Sequence, residues 1–373
     1  MPVTDIPQHD IIRHLGHRHA VIGEAPGRVN LIGEHTDYSG GYVLPTVIPQ
    51  TTAVAAAVNG DTAARAWSAS MPEGQQQVRF IVGEETRSGS WGDYVQGASA
   101  LLRAAGHRIS GFDAVIRSEV PLGSGLSSSA SLTVAVLRAL RHLFELQLDD
   151  VALAGLARRV ETDFIGVPVG VMDPIACALG SAHHALFLDT RELTWQLVRI
   201  PSTTEFAVIN SGITHSIATG SYRQRRQECD AATRALGVGD LRDIPESDLR
   251  RTETLPELLR KRARHIITEN GRVLAAVDAL RKRDMTRFGE LMDGSHVSLR
   301  DDYEVSLPEI DRMVQIARDQ RGVLGARITG GGFGGSIVVL TQAGQAARVA
   351  AAVAAAARDQ LRLRPQVLVP APA

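Results

Sequence analysis

A two-domain α+β or α/β fold is what this sequence predicts, on three observations. Segments of strand character and of helical spacing intermix in both halves of the chain, which excludes the all-α and all-β classes. At 373 residues the chain is longer than a single hydrophobic core ordinarily serves, and its length suggests two or three domains. Near residue 200 the text becomes more helical and more charged, so the expected domains are 1–200 and 201–373, a boundary that composition fixes only to within tens of residues.

The elements follow in order. Strand text opens the chain at 20–23, 28–32 and 42–44, and 51–58 is β-branched and alanine-rich. Residues 77–82 and 112–120 alternate polar and apolar side chains, the period of a half-buried strand. The second of these stops at Pro121, where a glycine- and serine-rich turn leads into an apolar helix expected over 131–144. A helix over 149–163 places Leu153, Leu156, Ala157 and Val160 on one face. Another is expected to start at Asp173, an aspartate followed by Pro174, the pattern of an N-cap with proline at the first helical position. Beyond residue 200 helical spacing runs over 222–236, 256–268, 272–283 and 308–320, with 288–303 part helix and part loop. Residues 323–328 and 337–340 read as strands flanking a glycine turn, and 346–361 as a covering helix.

Composition excludes several function classes. Forty Lys+Arg against 41 Asp+Glu leave a net charge of −1, which gives no electrostatic footprint for nucleic acid or an anionic membrane. The cysteines are Cys177 and Cys229, neither in a C-x-x-C pair, too few for a disulfide framework or a four-thiolate zinc site. Residues 1–19 are polar and histidine-rich without a signal-peptide core, and the alanine-rich run 349–357 is too short to span a bilayer, so a cytoplasmic protein is expected. The only lysines are Lys261 and Lys282, both in arginine-rich polar helical text. A Walker-A loop, a kinase strand lysine and Schiff-base chemistry therefore have no lysine to use. The arginine-rich segment 260–264 reads as a solvated helix face.

Three motifs carry chemistry. The first is the turn from strand into helix, Pro121-Leu-Gly-Ser-Gly-Leu-Ser-Ser-Ser, which continues uncharged to Leu137. Gly123 and Gly125 allow close backbone approach, Ser127, Ser128 and Ser129 supply hydroxyls, and the helix N-terminus supplies unpaired N–H groups. An anion bound there would be held by amides and hydroxyls, which suits polyphosphate with its remaining charge met by Mg²⁺; a plain serine-rich helix cap is the other reading. The second motif, Gly33-Glu-His-Thr-Asp-Tyr, sets Glu34, His35 and Asp37 within four residues. Such donors and acceptors suit a polyol; one histidine with two acids as ligands for Mg²⁺ or Ca²⁺, and a solvated turn, are the other readings. The third, Gly330-Gly-Gly-Phe-Gly-Gly, demands close approach of the backbone to a ligand or to a neighbouring strand. On pattern alone Asp173 is a helix cap and Glu161 a surface charge.

Together these motifs resemble those of the GHMP small-molecule kinases, and within them the galactokinase family, over roughly 23–340. Arg28-Val-Asn-Leu-Ile-Gly-Glu-His-Thr-Asp-Tyr is similar to the sugar signature, 121–132 to the phosphate loop, and 329–335 to the third motif; Tyr222-Arg-Gln-Arg-Arg-Gln-Glu-Cys and 295–305 extend the similarity. The resemblance implies a two-domain α+β GHMP kinase fold with the active site in the cleft between the domains, and ATP-dependent transfer of phosphate to the anomeric hydroxyl of galactose, giving α-D-galactose 1-phosphate. It assigns Glu34, His35, Asp37, Tyr222 and the Gly170 backbone to the sugar. Gly123, Ser124, Gly125, Leu126, Ser127, Ser128 and Ser129 would wrap the ATP phosphates, with Trp91 and Ser68 near the adenine. Ser129 and Glu161 would hold Mg²⁺. Asp173 matches the catalytic aspartate, with Arg28 beside it; an arginine and a helix N-terminus both favour a negatively charged carboxylate, so Asp173 would orient the hydroxyl and accept its proton late. The expected enzyme is a monomer with no nucleic-acid or membrane partner.

The chain departs from the family pattern at four places. Pro174 stands for a usual glutamine after the aspartate, Val169 for a common cysteine, Ser124 for a loop glycine and Ser336 for a frequent cysteine. None removes a group assigned to chemistry. Pro174 bears on the choice of sugar, with N-acetylgalactosamine, L-arabinose and galacturonate as alternatives; the intact Glu34, His35 and Asp37 favour galactose, since a C6 carboxylate facing Glu34 would be repelled. A non-catalytic galactose sensor would be expected to lack part of the set Asp173, Arg28, Glu161 and Ser129, and all four are present.

Overall fold

The computed structural model describes residues 15, 19–213 and 218–369; the polar stretch before His19, apart from Leu15, lies outside them. The chain divides into two compact units, the first made of Met1–Arg28, Ile48–Leu122 and Leu126–Leu179, the second of Val29–Val47, Gly123–Gly125 and Gly180–Ala373. The main changeover falls at Leu179–Gly180, ahead of the compositional shift near residue 200. Two short early pieces, both carrying motif residues, belong to the second unit. Composition records helix and charge content, whereas packing assigns a segment to the core it touches, so these excursions leave no compositional trace.

In the first unit the strands Val21–Asn30 and Pro45–Val58 pair with each other, and the latter, which enters the unit at Ile48, pairs antiparallel with Phe112–Ser118. Phe112–Ser118 runs parallel to Ala63–Ser68, which pairs antiparallel with Gln77–Ile81. The two strands expected at 20–23 and 28–32 are one, because Pro26 and Gly27, which read as a break, lie within it. Ala63–Ser68 escaped the sequence reading since its buried positions are alanines and a serine rather than β-branched residues. The helices Gly92–Ala104, Ser128–Leu143, Asp150–Arg159 and Met172–Leu179 pack among themselves. The helix expected over 149–163 is α-helical only to Arg159 and continues as a π turn, Val160–Ile165, closed by Gly166 at φ 80°. That turn carries Glu161 into the interior, 8% exposed, in place of the surface expected on pattern alone.

The second unit holds a four-stranded antiparallel sheet in the order Val323–Thr329, Ser336–Gln342, Thr204–Asn210, Gln366–Val369. Met285–Asp301 and Pro308–Arg318 pack on its first strand and Ala346–Leu361 covers the others. Where Met285–Asp301 crosses the sheet, a Cβ on Gly289 would stand 2.0 Å from the Leu324 carbonyl oxygen and one on Gly325 2.4 Å from that of Gly289, so both positions must be glycine for helix and strand to meet. The segments expected at 256–268 and 272–283 form a single helix, Glu257–Lys282, which runs straight through Gly271. Its arginine-rich turn is not wholly a solvated face: Arg262 is 1% exposed and donates to Glu228 Oε2 at 2.7 Å and Glu304 Oε2 at 2.8 Å. A helical period puts one residue of such a run inward even when its neighbours face water. Tyr42–Val43, His184–Asp189 and Thr194–Arg199 pair antiparallel beside the start of Pro45–Val58.

Candidate active site

Chemistry-bearing groups gather in each unit. In the first, Arg28 leaves the strand Val21–Asn30, whose backbone is tied to the glycine-serine loop by Arg28 N–H donating to the Leu126 carbonyl at 3.2 Å. Its guanidinium reaches Asp173 Oδ1 from both Nε (2.7 Å) and Nη2 (2.5 Å). Ser127 donates to the other carboxylate oxygen, Oδ2, at 2.6 Å. Ser127 stands at φ 62°, ψ 45°, a left-handed conformation that costs a non-glycine residue about 1 kcal/mol or more and persists where surroundings enforce it. The helix opens at Met172, one residue before the expected cap, so Asp173 lies inside its first turn and its two oxygens meet side chains from the strand and from the loop. Gly170, buried, lies in the segment leading into that helix.

Glu161 is pushed up to about 7, first by burial and then by the negative charge of Asp173, while a hydrogen bond with Ser129 and the charge of Arg28 pull the other way. Ser129 is also hydrogen-bonded to Tyr94, whose hydroxyl is pushed up to about 12 by burial and by Glu161. Ser129 and Glu161, far apart in sequence, are therefore brought together, and Tyr94 joins them without having been singled out from the sequence. Among the described residues no group of three His, Cys, Asp or Glu side chains could hold a metal alone. A hydroxyl and a buried carboxylate beside a second carboxylate are nonetheless hard oxygen donors that a divalent cation would relieve, with further ligands from phosphate. Trp91 donates its indole N–H to the Gln75 carbonyl at 2.7 Å and the Ser68 amide donates to the Gln76 carbonyl at 2.9 Å, so both flank one turn.

In the second unit Glu34, 3% exposed, is held at one oxygen, Oε1, by two hydrogen bonds, from the Thr329 hydroxyl (3.0 Å) and the Gly330 N–H (2.8 Å), and by an ion pair with the Arg327 guanidinium at 3.3 Å. His35 packs among Tyr38, Tyr222 and Tyr303, with ring centroids 5.9, 5.7 and 4.7 Å away. Its Nδ1 lies 2.9 Å from the Tyr38 hydroxyl, which lies 2.6 Å from that of Tyr303. Burial first, then His265, Arg225 and Arg327, lowers His35 to about 3, so the ring is neutral. Burial pushes the Tyr38 and Tyr303 hydroxyls up, so both stay protonated. Asp37 opens a short 3-10 turn, Asp37–Ser39, and Tyr222 stands edge-on to Tyr38 at 5.2 Å. Ser336 donates to the Ser124 carbonyl at 2.7 Å, and a Cβ on Gly125 would stand 3.9 Å from Gly330. Parts of all three motifs thus meet inside this unit. The sequence reading did not single out Arg327, Tyr38 or Tyr303; an arginine embedded in the apolar strand text Val-Leu-Gly-Ala-Arg-Ile was the available signal.

Comparison with known proteins shows the family to which the chain belongs. Residues 12–58 match the galactokinase galactose-binding signature, 93–181 the GHMP kinases N terminal domain and 276–359 the GHMP kinases C terminal domain. A galactokinase of Roseiflexus sp. (strain RS-1) is 45% identical over 337 residues, spanning 88% of this chain and 85% of that protein. A galactokinase of Chloroflexus aurantiacus is 44% identical over 338 residues, 89% of this chain and 86% of its own. The crystal structure of Lactococcus lactis galactokinase complexed with galactose superposes with a TM-score of 0.89 at 33% identity, covering 94% of this chain and 93% of that one. The mevalonate kinase of Methanococcus jannaschii, at 18% identity and a TM-score of 0.67 over 94% and 98% of the two chains, shares the fold.

Proposed function

The chain belongs to the galactokinase family of the GHMP kinases, and from that premise we propose how its own residues divide the transfer of the γ-phosphoryl group of ATP to the anomeric hydroxyl of galactose. Such a transfer asks little covalent chemistry of the protein and much positioning and charge stabilisation. The observation that carries the catalytic assignment is the double hold on Asp173. Arg28 commits Oδ1 with two N–H groups, whereas Oδ2 has the neutral hydroxyl of Ser127. Oδ2 is therefore the oxygen that orients the sugar hydroxyl and takes its proton late, and Arg28 steadies the charge beside it.

Glu34, His35, Asp37 and Tyr222, with the Gly170 backbone, bind the sugar; a neutral His35 suits hydroxyls, to which it offers one donor and one acceptor. Gly123 to Ser129 wrap the ATP phosphates, and Trp91 and Ser68, flanking one turn, receive the adenine. Ser129 and Glu161 hold Mg²⁺ together with the phosphates; the cation, when bound, supplies neutralisation of the phosphate charge. No helix among the described residues is long and apolar enough to cross a membrane, and we place the enzyme in the cytoplasm as a monomer, with no nucleic-acid or membrane partner.

ADP release with Mg-ATP and a panel of galactose, N-acetylgalactosamine, L-arabinose, galacturonate and glucose tests the reading, with Asp173→Asn as the blank. Galactose should lead in kcat/KM and the variant should be silent. Another sugar in the lead would move the substrate assignment and point to Pro174.

A further inference from the structure

Glu34 lies in the loop after the strand Val21–Asn30, yet its side chain is held by the end of Val323–Thr329 and the glycine turn that follows. Glu34, Arg327 and Thr329 are 3%, 0% and 2% exposed, so water cannot replace a donor that is removed. Both hydrogen bonds and the Arg327 ion pair converge on Oε1, and among the described residues no hydrogen bond or ion pair reaches Oε2. A carboxylate pinned at one oxygen is a fixed acceptor for a ligand hydroxyl at the other; an unpinned one would tilt between positions and lose affinity to the entropy of being ordered.

The Thr329 hydroxyl has one hydrogen and two acceptors in reach, Glu34 Oε1 at 3.0 Å and the Asn30 carbonyl at 2.9 Å. That carbonyl already accepts from Arg327 Nη1 at 3.1 Å, and a carboxylate is the stronger acceptor, so the hydrogen goes to Glu34. Gly330 stands at φ 84°, in the left-handed region open to glycine, where the chain leaves the strand with its N–H 2.8 Å from Oε1.

We propose that Thr329, with Arg327 and the Gly330 amide, is the positioning element for Glu34, and that the start of the glycine-rich segment thereby sets sugar affinity in this chain. The proposal rests on the reading of Glu34 as a sugar ligand. Removing Arg327 would leave Glu34 and the nearby buried Glu269 short of positive charge and threatens the fold, so Thr329 is the residue to test.

The full-length enzyme is compared as Thr329→Val, Thr329→Ser and Glu34→Gln, with Thr329→Ala in reserve should the valine variant fail to fold. Galactose KM, ATP KM and kcat are measured, together with galactose Kd by calorimetry. Thr329→Val should raise galactose KM and Kd about 10-fold, as for loss of a hydrogen bond to a charged group, with ATP KM held within about twofold. Thr329→Ser, which keeps the hydroxyl, should restore galactose KM to within about twofold. Unchanged galactose KM and Kd in Thr329→Val, beside a rise in Glu34→Gln, overturns the positioning role while the sugar-site reading stands. Equal effects on both substrates, unrelieved by serine, also overturn it and show a merely structural residue. No effect of Glu34→Gln on galactose removes the sugar-site reading itself, and the proposal falls with it.

Discussion

At the residue scale the account turns on Asp173 and the two side chains that hold it. Arg28 and Asp173 are 145 positions apart and Ser127 comes from a third segment, so the cluster exists only once the first unit has folded. Arg28 is buried while Asp173 remains partly exposed, an arrangement in which the carboxylate is fixed but reachable. Ser127 pays a conformational penalty at φ 62° to make its bond, the kind of strain that accumulates at functional sites. Its replacement therefore separates positioning from binding: Ser127→Ala should lower kcat about 10-fold with galactose KM held within about twofold. A matched fall in affinity for galactose would show Ser127 to be a ligand of the substrate rather than a support of Asp173. The family resemblance assigns this serine to the ATP phosphates; its bond to Asp173 is a second partner that the sequence does not reveal, because hydroxyls in a glycine loop at a helix start share one signature whatever they bond. A non-glycine residue at positive φ cannot be read from its neighbours.

At the scale of elements, what was legible followed periodicity and what was not followed packing. Ala346–Leu361 stands where its alanine-rich text puts it, and Ser336–Gln342 and Val323–Thr329 flank the glycine turn as expected. The π turn at Val160–Ile165 was unreadable, since one inserted residue leaves the apolar pattern of the preceding helix intact; yet it is what turns Glu161 inward. The contact of Met285–Asp301 with the sheet shows the same limit, for nothing in the sequence around Gly289 and Gly325 signals that a helix and a strand meet there. Gly289→Ala should cost at least about 3 kcal/mol or abolish folding, its Cβ standing 2.0 Å from a backbone oxygen that cannot give way. Gly155, in the helix Asp150–Arg159 with nothing within 4 Å of its would-be Cβ, should instead gain about 1 kcal/mol as alanine. Urea unfolding of the two variants against the parent checks both signs, and equal stabilities would refute the packing argument.

For the whole molecule, buried titratable groups tie stability to pH. His35 is lowered to about 3 and His265 to about 4, each chiefly by burial, and Glu269 to about 2, where Arg272, His265 and Arg327 outweigh its burial. The unfolded chain binds protons at the two histidines below about pH 6.5 while the folded chain does not, so stability falls as the pH drops from there toward the folded values. Each histidine contributes about 1.4 kcal/mol per pH unit in that window, and Glu269 adds a loss of the same sign below about pH 4.5. Between pH 7.5 and 5 the two histidines together should remove about 4 kcal/mol, read as a falling urea midpoint; a flat midpoint would show that they are not buried neutral. The sugar-signature residues are thus part of the core of the second unit as well as of its chemistry, which is why their neighbours, Arg327, Tyr38 and Tyr303, belong in any account of specificity. The catalytic claim itself rests on one carboxylate. Galactose binding and ADP release measured side by side on Asp173→Asn test it most directly: binding should stay within a few-fold of the parent while turnover drops by about 10³ or more. Near-parental turnover in that variant would contradict the assignment of Asp173, and with it the role given to Arg28 and Ser127.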